Sequence, residues 1–167
     1  MQKFGSFINE KSDISEHLLT IFETCRPYKH ITEFGLRKGK STIAILASTP
    51  NKFISYELFP IEEEINKIKE MAKIENLNFI VKIEDSRKCV IEDTDVLFID
   101  TEHNYEQLYT ELTKHANNVR HKIIMHDTET FPKMTSALYD FLNSHQEWEV
   151  ELVKHNNNGL TIIRRLP

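Results

Sequence analysis

Strand-like and helix-like segments alternate along this chain, and that alternation restricts its fold more than any other feature. Residues 29–34 (KHITEF) read as a strand that stops at Gly35, and a helix is expected from about Ser41 to Ala47. Residues 52–57 (KFISYE) read as a second strand. Pro60 then suits the first turn of a helix that brings Ile61, Ile65, Ile68 and Ala72 together. Residues 79–83 (FIVKI) form a third strand with a short connection after it. Residues 95–100 (DVLFID) form the most hydrophobic strand. The next helix, from about Asn104, aligns Tyr105, Leu108, Tyr109, Leu112 and Ala116, and residues 122–127 (KIIMHD) and 134–143 add a strand and a helix. Upstream, Ile14, Leu18, Leu19, Ile21, Phe22 and Cys25 share one helical face, with Asp13 and Glu16 placed for a capping box and the first twelve residues irregular.

Five β-then-α units in succession predict a parallel sheet covered on both faces. The ending differs. Residues 147–154 and 160–165 read as two strands joined by HNNNG, a hairpin-type joint. The expected fold is α/β: a doubly wound, mostly parallel seven-stranded sheet with helices on both faces and a C-terminal antiparallel hairpin, in a single domain over residues 1–167.

Bulk properties narrow the partners. The formal net charge of −5 gives no support to nucleic acid, whose binders carry basic patches. No apolar run is long enough for a membrane span, and the polar start MQKFGSFINEKSD is unlike a secretory signal. Cys25 and Cys89 are too few for a disulfide framework or a zinc motif, so two reduced, partly buried thiols in a cytoplasmic protein are expected.

Sheets of this kind bind ligands beyond the carboxyl ends of their strands. Those ends read Glu33-Phe34-Gly35, Glu57, Glu84-Asp85-Ser86, Asp100 with His103, and His126-Asp127. Gly35 and Gly39 serve either a plain turn or close backbone approach to a ligand, and Ser41 is placed to cap the following helix. Glu57, at the end of the second strand, is placed to accept both hydroxyls of a ribose. Gly35 to Ser41 reads G-x-x-x-G-K-S, one residue short of a phosphate-binding P-loop. A nucleotide-phosphate enzyme is therefore the minority reading.

The stretch EFGLRKGKST, residues 33–42, resembles the first motif of class I S-adenosylmethionine-dependent methyltransferases, E-x-G-x-x-x-G-x-S. DVLFIDTEHNYEQLYTEL followed by KIIMHDT is similar to the branch that holds the macrocin O-methyltransferase and cephalosporin-hydroxylase-like proteins. That branch carries D-x-x-H-x-Y after the fourth strand and an acidic pair or His-Asp after the fifth. The final GLTIIRR also looks like its last strand. The resemblance spans Ile31 to Arg165 and implies a Rossmann-like methyltransferase fold.

The resemblance also implies roles. Glu33, Gly35, Gly39 and Ser41 would form the cofactor loop, with the glycines along its methionine part. Glu57 would hold the ribose, and Asp85 and Ser86 would sit near the adenine. Asp100 and Asp127 would face the acceptor and, as in several members, bind Mg2+. A bound cation lowers the pKa of an acceptor hydroxyl, and His103 or His126 would take its proton.

Plain structural readings stand beside these. Asp100 or Asn104 with Gln107 would cap the following helix, His103 would be an exposed loop residue, and His126 would face away from Asp127 because strand neighbours alternate. The chain departs from the family pattern at Thr101 and Glu102, where members carry a glycine. It departs again at Asn118-Val119-Arg120-His121, where they carry a Gly-Gly turn. The expected function is methyl transfer from S-adenosylmethionine to a hydroxyl of a sugar or other small molecule. A methyltransferase-shaped module without catalysis is a further alternative. With little N-terminal extension to act as a lid, the acceptor pocket is either open or completed by a second subunit in a homo-oligomer.

Overall fold

The computed structural model describes residues 11–167. In chain order they form a short 3-10 turn, Ser15–His17, then α1 (Leu18–Cys25), β1 (His30–Phe34), α2 (Lys40–Ala47), β2 (Lys52–Glu57) and α3 (Glu62–Ile74). The chain continues through β3 (Phe79–Ile83), β4 (Thr94–Ile99), α4 (Tyr105–His115), a 3-10 turn at Ala116–Asn118, β5 (Val119–His126), α5 (Pro132–Ser144), β6 (Trp148–Lys154) and β7 (Leu160–Arg165). The irregular start expected for residues 1–12 lies outside the described residues as far as position 10, and positions 11 and 12 carry no regular structure.

One seven-stranded sheet has the order β3-β2-β1-β4-β5-β7-β6. Neighbours from β3 to β5 are parallel, while β7 is antiparallel to both β5 and β6. This is the doubly wound sheet with a terminal hairpin that the alternation predicts. The strand order reverses direction at β1 and β4, so their carboxyl ends open a crevice between them.

The apolar runs have a simple cause. A strand covered on both faces needs apolar side chains in both directions. In β4, Val96 and Phe98 join the core under α1, α2 and α3, while Leu97 and Ile99 join the core under α4 and α5. Helix α2 is short but buried from Ser41 to Leu46, which explains its lack of a polar face.

Several local expectations are corrected. The connection between β3 and β4 carries no helix, so four β-then-α units exist rather than five; Cys89 and Ile91 cover the sheet there instead. Asp13 and Glu16 form no capping box. Ser12 and Ser15 exchange hydrogen bonds at that turn, while Asp13 pairs with Arg37 and Glu16 accepts from Asn156. Pro60 precedes α3, and Ile61 is its N-cap and 40% exposed, so only Ile65, Ile68 and Ala72 reach the core. The turn expected at 118–121 is shorter, because β5 already starts at Val119.

Other local features follow from simple physical rules. The Asn104 side chain caps α4 by accepting from Gln107 N at 2.9 Å. Glu62, Glu63 and Glu64 occupy the first turn of α3, where negative charge suits the helix dipole. Trp148 is buried, with Arg165 over its ring. Both cysteines are free and more deeply buried than expected. Among the described residues, no helix is long and apolar enough to cross a membrane.

Candidate functional site

The loop after β1 is shaped by two positions that require glycine. Gly35 has φ +91°, and a Cβ there would lie 2.0 Å from the Asp100 carbonyl oxygen. Gly39 has φ +73°, and a Cβ there would lie 2.1 Å from Ile68 Cδ1. At Gly35 the left-handed backbone and a backbone neighbour together exclude a side chain, whereas at Gly39 the left-handed backbone strains one and the Ile68 methyl would have to shift. The first contact also matters for function, because it presses the glycine loop against the end of β4.

Two carboxylates hold this loop from opposite sides. Glu57 Oε2 accepts from the amides of Leu36 and Arg37 at 2.9 and 2.7 Å, and its Oε1 accepts from Phe59 N at 2.8 Å. The residue placed for a ribose is therefore also the clamp of the loop. Glu33 is wholly buried behind it. Its Oε1 accepts from Ser41 Oγ at 2.7 Å, and its Oε2 accepts from Thr42 Oγ1 at 2.8 Å and Ser55 Oγ at 2.6 Å. Burial pushes Glu33 up to about 7, against the pull of those hydroxyls. The Ser41 hydroxyl is engaged there, so the helix cap expected of it is not made; Gly39 is the N-cap, without a side-chain bond.

The ends of β3 and β4 are tied by a third carboxylate that the sequence reading missed. Glu111, on the buried side of α4, accepts from Ser86 Oγ at 2.5 Å, Gln107 Nε2 at 2.7 Å and Thr101 Oγ1 at 2.9 Å. Burial pushes it up to about 7. Its signal was present but weak: Gln107 and Glu111 are one turn apart and flank the Leu108–Leu112 stripe. Next to Ser86, Asp85 is held below the usual carboxylate range by Arg87, which binds it through Nε, Nη2 and its own amide.

At the ends of β4 and β5, four side chains converge. His103 Nε2 lies 2.7 Å from Asp127 Oδ2 and 3.7 Å from Asp100 Oδ1. His126 Nδ1 lies 3.2 Å from Asp127 Oδ2 and 3.6 Å from Asp100 Oδ1. The plain strand reading put His126 and Asp127 on opposite faces, and the family resemblance put both at the site. They meet because β5 ends at His126 and Asp127 turns into the left-handed region, at φ +62°, folding its carboxylate back. The charges reinforce one another. Asp100 and then Asp127 push His103 up to about 9. Burial alone would lower His126, but the same two carboxylates push it up to about 10. Burial opposes ionisation of Asp100 and Asp127 as well, yet the two imidazoles hold both carboxyls low. With both rings protonated at neutral pH, each must lose that proton before it can act as a base.

Asp100, His103 and Asp127 also offer ligand atoms that all lie within 4.8 Å of one another. His103 Nε2, His126 Nδ1 and Asp127 Oδ1 are buried without a hydrogen-bond partner despite their close neighbours. Two neighbouring carboxylates, one of them with an oxygen left without a hydrogen bond, fit a divalent cation.

Gly35, Glu57, Asp85, Ser86, Asp100 and His103 line one cleft of about 680 Å3, together with Gln107, expected only in a helix cap, and with Tyr56, Phe59 and Arg87, which the sequence did not single out. Gly39 and Ser41 line a second cavity of about 390 Å3, between the loop and residues 11–14. Arg37 and Asp100 border both. Glu33 lines neither, and His126 and Asp127 lie deeper, in contact with Asp100.

No protein-family model matches the chain, and no curated protein matches its sequence. Solved structures do match its fold. A ribosomal protein L11 methylase from Lactobacillus delbrueckii subsp. bulgaricus has a TM-score of 0.71 at 13% identity, over 95% of this chain and 81% of that one. A magnesium protoporphyrin IX methyltransferase from Synechocystis PCC 6803 with bound SAM has a TM-score of 0.69 at 10% identity, over 98% and 90%. A putative caffeoyl-CoA O-methyltransferase from Staphylococcus aureus has a TM-score of 0.67 at 13% identity, over 90% and 83%. At such identities the likeness is one of fold: a Rossmann-like methyltransferase fold.

Proposed function

We propose that this chain is an S-adenosylmethionine-dependent methyltransferase that acts on a hydroxyl group of a small molecule such as a sugar, within the macrocin O-methyltransferase-like branch its motifs resemble. The observation that carries the reading is the 680 Å3 cleft at the strand ends, which gathers Gly35, Glu57, Asp85, Ser86, Asp100 and His103 along one wall. Such a cleft suits a nucleoside at its Glu57 and Ser86 end and a reacting group at its Asp100 end. The methyltransferases of the same fold, one of them with SAM bound, support the same donor.

S-adenosylmethionine supplies an electrophilic methyl group. The acceptor oxygen forms its bond to that carbon as the carbon–sulfur bond breaks, and the hydroxyl proton leaves. The work of the chain is positioning. Gly35 and Gly39 allow close backbone approach, and Glu33 and Ser41 act from behind by holding the loop. Glu57 offers an acceptor for ribose hydroxyls, and Ser86 and Asp85 border the adenine. Asp100 and Asp127 would hold a divalent cation, Mg2+ in the resemblance, and so lower the pKa of the acceptor hydroxyl. His103, at the cleft, is the group placed to receive the proton once its own is lost.

The P-loop alternative is less favoured. The Leu36 and Arg37 amides, which a phosphate would need, are donated to a carboxylate. Calorimetry with S-adenosylhomocysteine tests the main reading, which expects saturable binding; none at millimolar ligand overturns it. Binding without turnover on any hydroxyl acceptor identifies a non-catalytic module.

A further inference from the structure

We infer that Asp100, His103, His126 and Asp127 form a mixed nitrogen-and-oxygen site for a first-row transition-metal ion such as Zn2+ or Co2+, with both imidazoles as ligands, rather than an all-oxygen magnesium site. The inference rests on the cation clause of the proposed function and not on the methyl donor, and it replaces the proton-accepting role given there to His103, because a ring nitrogen bound to a metal has no lone pair left for a proton.

The second ring nitrogen of His126 carries the argument. His126 Nε2 lies 3.3 Å from the Asn157 carbonyl oxygen, and a carbonyl only accepts, so Nε2 holds the hydrogen. Metal-bound imidazoles are oriented by that kind of outer bond. It leaves Nδ1, on a residue only 1% exposed, aimed at Asp100 and Asp127 with no hydrogen-bond partner. His103 Nε2 meets the same two carboxylates from the other side, again without hydrogen-bonding alignment. Its ring is fixed by stacking on Phe131, centroids 4.4 Å apart. The ligand atoms that lie within 4.8 Å of one another belong to Asp100, His103 and Asp127, and His126 Nδ1 borders them at 3.2 Å from Asp127 and 3.6 Å from Asp100, so a cation there would meet both orphaned ring nitrogens after a small movement of His126.

The spacing agrees. Donor atoms around one ion with bonds of about 2.1 Å sit roughly 3.0–3.4 Å apart. Three of the four nitrogen–oxygen distances here are 3.2, 3.6 and 3.7 Å, and the fourth is 2.7 Å. The left-handed backbone of Asp127 is a further sign, since an unfavourable conformation that aims a ligand belongs to functional sites. The donor type then selects the ion. Imidazole suits zinc, cobalt, iron and nickel, whereas magnesium prefers oxygen and water.

The test uses the full chain, titrated with Zn2+, Co2+ and Mg2+ by calorimetry, with the visible spectrum recorded for Co2+. One ion per chain is expected, with Zn2+ roughly 100-fold tighter than Mg2+ and Co2+ bands that report nitrogen ligation. His103→Ala and His126→Ala should each weaken Zn2+ binding by about 10-fold or more. Circular dichroism checks folding; if His126→Ala fails to fold, the more accessible His103→Ala decides. Mg2+ binding as tightly as Zn2+ and unmoved by His103→Ala would overturn the inference and leave an all-oxygen cation site. Zn2+ binding unchanged in the folded variants would mean adventitious surface sites and also overturn it. Binding of no ion would overturn the inference and the cation clause together, while S-adenosylhomocysteine calorimetry still decides the methyltransferase reading.

Discussion

Glu33 and Asp127 are both almost without solvent, yet their surroundings treat charge in opposite ways. Glu33 faces three hydroxyls, and burial pushes it up to about 7. Asp127 faces two imidazoles, which hold its carboxyl well below the usual range despite burial. Hydroxyls satisfy lone pairs but do not offset the loss of hydration around a charge; a cationic partner does. The first region is thus a brace that holds its loop in either protonation state. The second is a fixed array of charge, of the kind that serves chemistry. Glu111 repeats the brace on the far side of the cleft with hydroxyl and amide donors, and it also reaches about 7.

The largest expected effect separates the regions by pH. The native pKa values of Glu33 and Glu111, about 7, lie above the ordinary 4.5, so the folded state binds more protons in between. Their contribution to stability is greatest below pH 4.5 and is lost as pH rises through 7, by about 3 kcal/mol for each group at most. Denaturant midpoints across that window measure it, and Glu33→Gln should flatten the slope by about half. A slope unchanged in Glu33→Gln would mean that Glu33 is already ionised throughout. The imidazole cluster acts in a higher window. His103 and His126 are raised from 6.5, so their stabilisation is complete below that pH and lost as pH rises through about 9 and 10.

Gly35→Ala tests the seam between the regions. Its methyl group would strike the Asp100 carbonyl and occupy a left-handed backbone, for a loss of about 3 kcal/mol together with S-adenosylhomocysteine affinity. A stable variant that still binds would show that the loop can move away from β4.

Asp127→Asn keeps a residue that tolerates left-handed backbone but removes the charge. A stability loss of about 1–2 kcal/mol is expected. The His103 titration, followed by NMR, should fall from about 9 toward 6.5. A value that stays near 9 would assign the shift to Asp100 alone. Tyr105→Phe is the smallest change. Its hydroxyl meets Asp140 at the surface, 2.8 Å away and apart from both regions, so less than about 0.5 kcal/mol is expected.

Much of this was legible in one dimension, because strands buried on both faces and helices buried on one leave different periodicities. β2, β3 and β7 run over the expected residues, and most other boundaries differ by one to three. The helix-free passage from β3 to β4 was read as a short connection yet counted among the β-then-α units; Cys89 and Ile91 bury apolar surface there without any periodic pattern. The candidate residues that the sequence offered at strand ends, Gly35, Glu57, Asp85, Ser86, Asp100, His103 and Asp127, do stand at the ends of strands or just after them. Glu111 escaped because it reaches the site from within a helix.

The succession of strands and helices along the chain, the need for a loop at Gly35 and the presence of acids at the strand ends were therefore determined by the sequence itself, as local consequences of side-chain periodicity and backbone freedom. Which of those acids would be braces and which would be charged was decided only in three dimensions. Glu33 met Ser55, and Asp127 met His103, across contacts of more than twenty residues in sequence, and the donors found there set the cost of ionisation.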